Sequence, residues 1–162
     1  MKYTIIVFSD NKPGLLYRVA GLFLKRKINV ESLTVSETER EGISRFTIVV
    51  KTDRSTVNKI ALQLERIIEV YSAKVYEEDA VIAREIVLIR IKVLDESERA
   101  ELQELCNRYW AHIIERFSTP DEVVLEIDGS EEKINECMDE LKRFDIIEFV
   151  RSGRIAIERM IP

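Results

Sequence analysis

Scarcity defines this chain as much as content does. A single histidine, His112, stands at the start of a predicted strand, and no partner at ligand spacing accompanies it, so a metal centre or a histidine-based catalytic pair is not expected. Only two cysteines occur, Cys106 and Cys137, far apart and each at an apolar position of a predicted helix. That usage excludes a disulfide framework and a paired-thiolate motif, and predicts buried free thiols in a reducing cytoplasm. The five glycines and three prolines form no Gly-x-Gly-x-x-Gly and no phosphate-cradling loop. No apolar run approaches the roughly 20 residues of a membrane span, and no leader pattern opens the chain, which predicts a cytoplasmic protein without a membrane partner. Charges of both signs are interspersed around a net −5, which argues against a nucleic-acid partner. The one tryptophan, Trp110, beside Tyr109, reads as core or interface packing. Glu77-Glu78, Glu96 and Glu131-Glu132 read as solvated faces. No set of residues suited to intrinsic catalysis is left.

What is present is organised around Asp10-Asn11-Lys12-Pro13-Gly14-Leu15-Leu16-Tyr17-Arg18-Val19. A β-branched, apolar strand, Tyr3 to Phe8, leads into it. Leu15, Leu16, Val19, Leu22 and Phe23 follow at helical spacing. Pro13 suits a first helical turn, whose amides have no intrahelical partner, and Gly14 leaves the backbone bare there. Free N–H groups, the positive end of a helix dipole and the Asn11 side chain together suit a small carboxylate. An ordinary strand-to-helix turn has the same look, so these ten residues alone leave both readings open.

Along the chain, residues 28–36 alternate as a half-buried strand, a polar hairpin follows, and 43–51 form the next strand. Ser55 is a plausible cap for a second helix through Val57, Ile60, Leu64 and Ile67, and 69–75 close the unit. Residues 77–85, rich in charge, read as a short junction. The order then recurs: a strand over 86–93, a helix capped by Asp95 or Ser97, strands over 111–117 and 122–127, a helix capped by Ser130, and strands over 146–150 and 155–157. The fold class is α+β, two ferredoxin-like βαββαβ domains in tandem, spanning 1–77 and 78–162.

The run Asn11-Lys12-Pro13-Gly14-Leu15-Leu16-Tyr17-Arg18-Val19-Ala20-Gly21-Leu22-Phe23, followed by Ile28-Asn29-Val30-Glu31-Ser32-Leu33-Thr34-Val35, resembles the small regulatory subunit of acetolactate (acetohydroxyacid) synthase. Ser44 to Ile48, Ala83 to Arg90 and Arg151-Ser152-Gly153 extend the resemblance over essentially the whole chain. It implies that the first domain is an ACT domain that forms a homodimer, its exposed edge strand pairing across a two-fold axis, and binds a branched-chain amino acid, usually valine. Asn11, Pro13, Gly14, Leu15 and Leu16 fall in the implied effector turn, and Asn29 and Val30 head the facing strand. The amides of Gly14 and Leu15 would hold the carboxylate, and the Asn11 and Asn29 carbonyl oxygens would accept from the ammonium.

The resemblance further implies a non-catalytic subunit that activates a separate catalytic (large) subunit and confers feedback inhibition by valine in branched-chain amino-acid biosynthesis. Thiamine diphosphate, magnesium and FAD would belong to that partner and no cofactor to this chain. The alternative is a stand-alone ACT-type amino-acid sensor acting on another partner. One residue departs from the family pattern: Lys27 stands where Gly is common, a cost on the order of 1 kcal/mol if the position needs φ > 0.

Overall fold

The computed structural model describes residues 1–160 and divides the chain into two units, Met1–Ile82 joined by the residues from Arg154 onward, and Ala83–Gly153. In the first unit β1 (Lys2–Asp10), β2 (Val30–Glu37), β3 (Ile43–Lys51) and β4 (Val70–Tyr76) form an antiparallel sheet in the order β2-β3-β1-β4. Helices α1 (Leu15–Lys25) and α2 (Arg54–Leu64) complete the βαββαβ unit. The core follows the two periodicities. Tyr3, Ile5 and Val7 pair across the strands with Val50, Ile48 and Phe46 on one sheet face, and Leu15, Val19, Phe23, Val57, Ile60 and Leu64 meet them from the helices.

The second unit repeats the plan with β5 (Val81–Lys92), α3 (Glu96–Tyr109), β6 (His112–Ile113), β7 (Glu122–Gly129), α4 (Glu131–Leu141) and β8 (Asp145–Arg151). Its order, β6-β7-β5-β8, is the same permutation as in the first sheet. Its core joins Val87, Ile89 and Ile91 to Val123, Leu125 and Ile127 beneath Leu102, Leu105, Cys106, Ile134, Cys137 and Leu141. A last strand, β9 (Ile155–Glu158), returns to the first unit, where the Arg159 amide donates to the Ala80 carbonyl at 2.9 Å. The expected tandem of ferredoxin-like units is what the chain adopts.

Several local expectations differ. The α2 cap is Asp53, whose carboxylate accepts the Thr56 amide at 2.9 Å from extended backbone, so Ser55 lies inside the helix. Residues 77–85 contain the division between the units, after Ile82, and the junction is ordered: a single 3₁₀ turn, Glu78–Ala80, runs straight into β5, whose in–out alternation starts at Val81. The strand expected over 111–117 shrinks to two residues. The Ile114 amide makes its last bond to the Val124 carbonyl, and a 3₁₀ turn, Glu115–Phe117, follows. Ser118 holds that turn by donating to the Ile114 carbonyl and accepting the Val124 amide. Asp95 rather than Ser97 caps α3, and Ser130 caps α4.

Candidate functional site

The β1–α1 connection is built differently from a helix opening on Pro13. Gly14, at φ 83° and ψ −12°, is the N-cap of α1, and the Leu15 amide reaches the Lys12 carbonyl at 3.4 Å. These are the marks of a type II turn with Pro13 and Gly14 at its centre, and the positive φ is why glycine sits there. Nothing lies within 4 Å of where a Gly14 Cβ would stand, so the bare backbone faces open space. No side chain caps α1. The Leu16 and Tyr17 amides lie in its first turn, where no intrahelical acceptor exists, while the Leu15 amide is only weakly engaged at its long distance. Asn11 is exposed, and its amide is fixed by the Gly42 carbonyl at 2.8 Å. Pro13 is exposed and Leu16 is 47% exposed, whereas the Leu15 side chain is 1% exposed in the core and leaves only its main chain to face a ligand.

Asn29 is exposed, and its amide nitrogen donates to Glu31 at 3.3 Å, which leaves Oδ1 as an outward acceptor. Val30 is half-buried at the head of β2. The sheet does not bring this pair to the Asn11 turn within one chain. Asp10 pairs with Ile43, and Val30 pairs with Val50. Seven residue steps along β3, from Ile43 to Val50, therefore separate the two ends, about 23 Å of strand.

Around the turn lies a charged set that periodicity does not reveal. Lys12 donates to Asp10 at 2.5 Å, Tyr71 donates its hydroxyl to the other Asp10 oxygen, and Arg18 pairs with Glu69 at 2.7 Å. Lys12 and then Tyr71 hold the Asp10 carboxyl below its usual range, and Arg18 does the same to Glu69. The residue before Asn11 is thus an anchored carboxylate.

A second unforeseen contact joins distant stretches of sequence. Ser32 and Thr34 face away from the helices. Ser32 Oγ accepts the Arg154 amide at 2.7 Å, and Thr34 donates to the Arg154 carbonyl at 2.9 Å. Arg154, 2% exposed, extends its guanidinium to Glu78 at 2.7 Å. Arg45 donates to the Ala156 carbonyl, and Tyr76 to Glu158 at 3.1 Å. Residues 154–158 therefore cross the outer face of the first sheet. A partner 120 residues away leaves no local sequence signal.

In the second unit, Cys106 and Cys137 are buried and unbridged. Burial pushes the Cys106 thiol up to about 11, and burial together with Cys106 pushes Cys137 up to about 12. Trp110 is not a core residue. It ends α3 in the left-handed conformation (φ 54°) and is 77% exposed. His112 is exposed on the short β6. Among the described residues no three His, Cys, Asp or Glu side chains are grouped to hold a metal ion, and no helix is long and apolar enough to cross a membrane.

A β2-β3-β1-β4 sheet backed by two helices, with a bare glycine turn after β1, is the ACT form of the ferredoxin-like fold. Residues 5–72 match the model of the AHAS small subunit-like ACT domain, and residues 84–160 match the model of the small subunit of acetolactate synthase. A probable acetolactate synthase small subunit of Archaeoglobus fulgidus is 41% identical over 159 residues, covering 98% of both chains. The acetolactate synthase small subunit of Mycolicibacterium smegmatis is 34% identical over 97% of this chain and 92% of its own. The crystal structure of the acetolactate synthase small subunit from Thermotoga maritima superposes with a TM-score of 0.90 at 27% identity, covering 100% of this chain and 99% of that one. The chain belongs to the acetolactate synthase small-subunit family.

Proposed function

We propose that this chain is the regulatory subunit of acetolactate synthase, activating a thiamine-diphosphate-dependent catalytic subunit and making it sensitive to valine. Family membership supports the assignment, and the two ends of the first sheet carry the mechanism. The Asn11–Leu16 turn offers free amides and a helix N-terminus for a carboxylate, and Asn29 offers Oδ1 for an ammonium, yet they stand about 23 Å apart along one chain. β2 lies at the sheet edge. Pairing β2 with a second copy, antiparallel across a two-fold axis, sets Val30 of one chain beside Glu37 of the other. Glu37 pairs with Ser44 at the end of the sheet where Asn11 meets Gly42. The dimer thereby faces the Asn11 turn of one protomer with the Asn29 strand of its partner, and each ligand is held by both.

Regulation then follows by linkage. Valine bound between protomers favours one arrangement of the dimer, and a catalytic subunit that prefers the other loses activity, a coupling typically of about 1–3 kcal/mol. Thiamine diphosphate, magnesium and FAD are placed on the catalytic subunit. Calorimetric titration with valine, isoleucine and leucine tests the site. Saturable binding near one valine per chain, lost in Gly14→Asp, is expected, because the new carboxylate occupies the position of the ligand's own. Unchanged affinity in Gly14→Asp refutes the turn as the site. Pyruvate-condensing activity in the chain alone refutes the non-catalytic assignment.

A further inference from the structure

The outer face of the first sheet, turned away from α1 and α2, carries a cavity of about 540 Å³ at the end where β1 leaves the sheet. That size is ordinary for a small-molecule pocket. Its floor is Phe8 and Ile43, one wall is Tyr71, and the facing wall is the hairpin residues Thr38, Glu39 and Arg40. Arg45 lies over the Phe8 ring at 5.3 Å and steadies it. The hairpin is also held in place: Gly42 donates its amide to Glu37 at 2.8 Å, Arg40 its amide to Thr38 Oγ1 at 3.2 Å, and Ile43 its amide to the Arg40 carbonyl at 3.1 Å. The exposed Glu39 carboxylate and Arg40 guanidinium are presented from a fixed backbone, and neither has an ion pair among the described residues.

We propose that this cavity is a second amino-acid site, distinct from the Asn11–Leu16 turn, and that it takes an α-amino acid with a large apolar side chain. An apolar floor with one free cation and one free anion on the same wall is complementary to such a zwitterion. Arg40 forks onto the α-carboxylate, Glu39 accepts from the α-ammonium, and the side chain lies on Phe8, Ile43 and the Tyr71 ring. Two contacts tie the cavity to the turn. Tyr71 donates its hydroxyl to Asp10, and the Gly42 carbonyl, at the end of the hairpin wall, accepts the Asn11 amide at 2.8 Å. A ligand that draws in the hairpin or Tyr71 acts on both residues that lead into the turn, and the coupling is reciprocal.

The test is calorimetric titration of the full chain carrying Gly14→Asp with L-leucine, with the amide resonances of Gly42 and Ile43 followed by NMR. A saturable event that persists in Gly14→Asp, shifts both resonances and weakens about tenfold or more in Gly14→Asp/Arg40→Ala is expected. Arg40 is exposed, so its removal leaves the fold intact. The 2-oxo analogue of leucine, which lacks the ammonium, should bind far more weakly, and Glu39→Gln should erase that difference. No leucine binding in Gly14→Asp, residual binding indifferent to Arg40→Ala, or equal binding of the oxo acid overturns the proposal. Failure of the turn reading shows separately, as valine binding unaltered by Gly14→Asp.

Discussion

Ser32 Oγ accepts the main-chain N–H of Arg154 at 2.7 Å, and two residues along β2 Thr34 takes the carbonyl of the same residue at 2.9 Å. Two side chains thus replace the strand that would otherwise satisfy both polar groups of a buried residue. This is a physical reason for the Ser-x-Thr spacing in the Glu31–Val35 run, on the strand whose first residues carry the proposed Asn29 contact. Ser32→Ala/Thr34→Ala removes these two hydrogen bonds to the Arg154 main chain and should cost about 1–3 kcal/mol. Urea denaturation would show the lower midpoint, and trypsin should cut at Arg154 much faster. Ser36→Ala, an exposed change on the same strand, should do neither.

Helix α1 ends in a Schellman arrangement whose central residue is the wrong type. Lys27 donates its amide to the Leu24 carbonyl at 3.0 Å, Ile28 donates to the Phe23 carbonyl at 3.1 Å, and Lys27 sits at φ 55°. The position does require a left-handed residue, and lysine bears the strain. Lys27→Gly should raise stability by about 1 kcal/mol, read as a higher denaturation midpoint, while Lys27→Ala should give no such gain.

Local pattern made the two βαββαβ units legible, because the apolar, β-branched run of β1, the alternation over 28–36 and the 3–4 spacing in α1, α2 and α4 are written in neighbouring residues. It also exposed the glycine turn, since Pro13-Gly14 breaks the pattern where strand becomes helix. It placed Pro13 in the helix because both a first helical turn and a type II turn accept proline after Lys12, and only the αL backbone of Gly14 decides between them. Trp110 reads from the sequence as core or interface packing; its left-handed C-cap position turns the ring to solvent and takes it out of the core. The Arg154 clasp and the Asp10–Tyr71 contact join residues too distant in sequence for any local pattern.

The two thiols lie in the second core, and burial raises both, to about 11 for Cys106 and about 12 for Cys137. Thiolate is the reactive form, so iodoacetamide at neutral pH should leave the native protein unmodified and label both cysteines in denaturant. The same shift sets a sign for stability. A folded-state pKa above the unfolded one means that the folded chain holds its protons longer, so the contribution is complete below about pH 8.5 and falls as pH rises towards 11. Cys106→Ala/Cys137→Ala should flatten that alkaline decline even though the variant is less stable at neutral pH. A decline of unaltered steepness would place its source elsewhere.

The separation of Asn11 from Asn29 along β3 gives the sharpest test of a site shared between protomers. Asn11→Ala and Asn29→Ala should each abolish valine binding when purified alone, because every site in either homodimer lacks one contact. If each site takes Asn11 from one chain and Asn29 from the other, a mixed dimer of the two variants has one site with both defects and one site with none. Unfolding and refolding an equal mixture makes about half the dimers mixed, so calorimetry should recover roughly a quarter of the wild-type sites, each with wild-type affinity. A site contained within one chain predicts no recovery in the same mixture. Val35→Pro, which breaks the open edge of β2, should convert the dimer to monomer and remove valine binding together with the recovery.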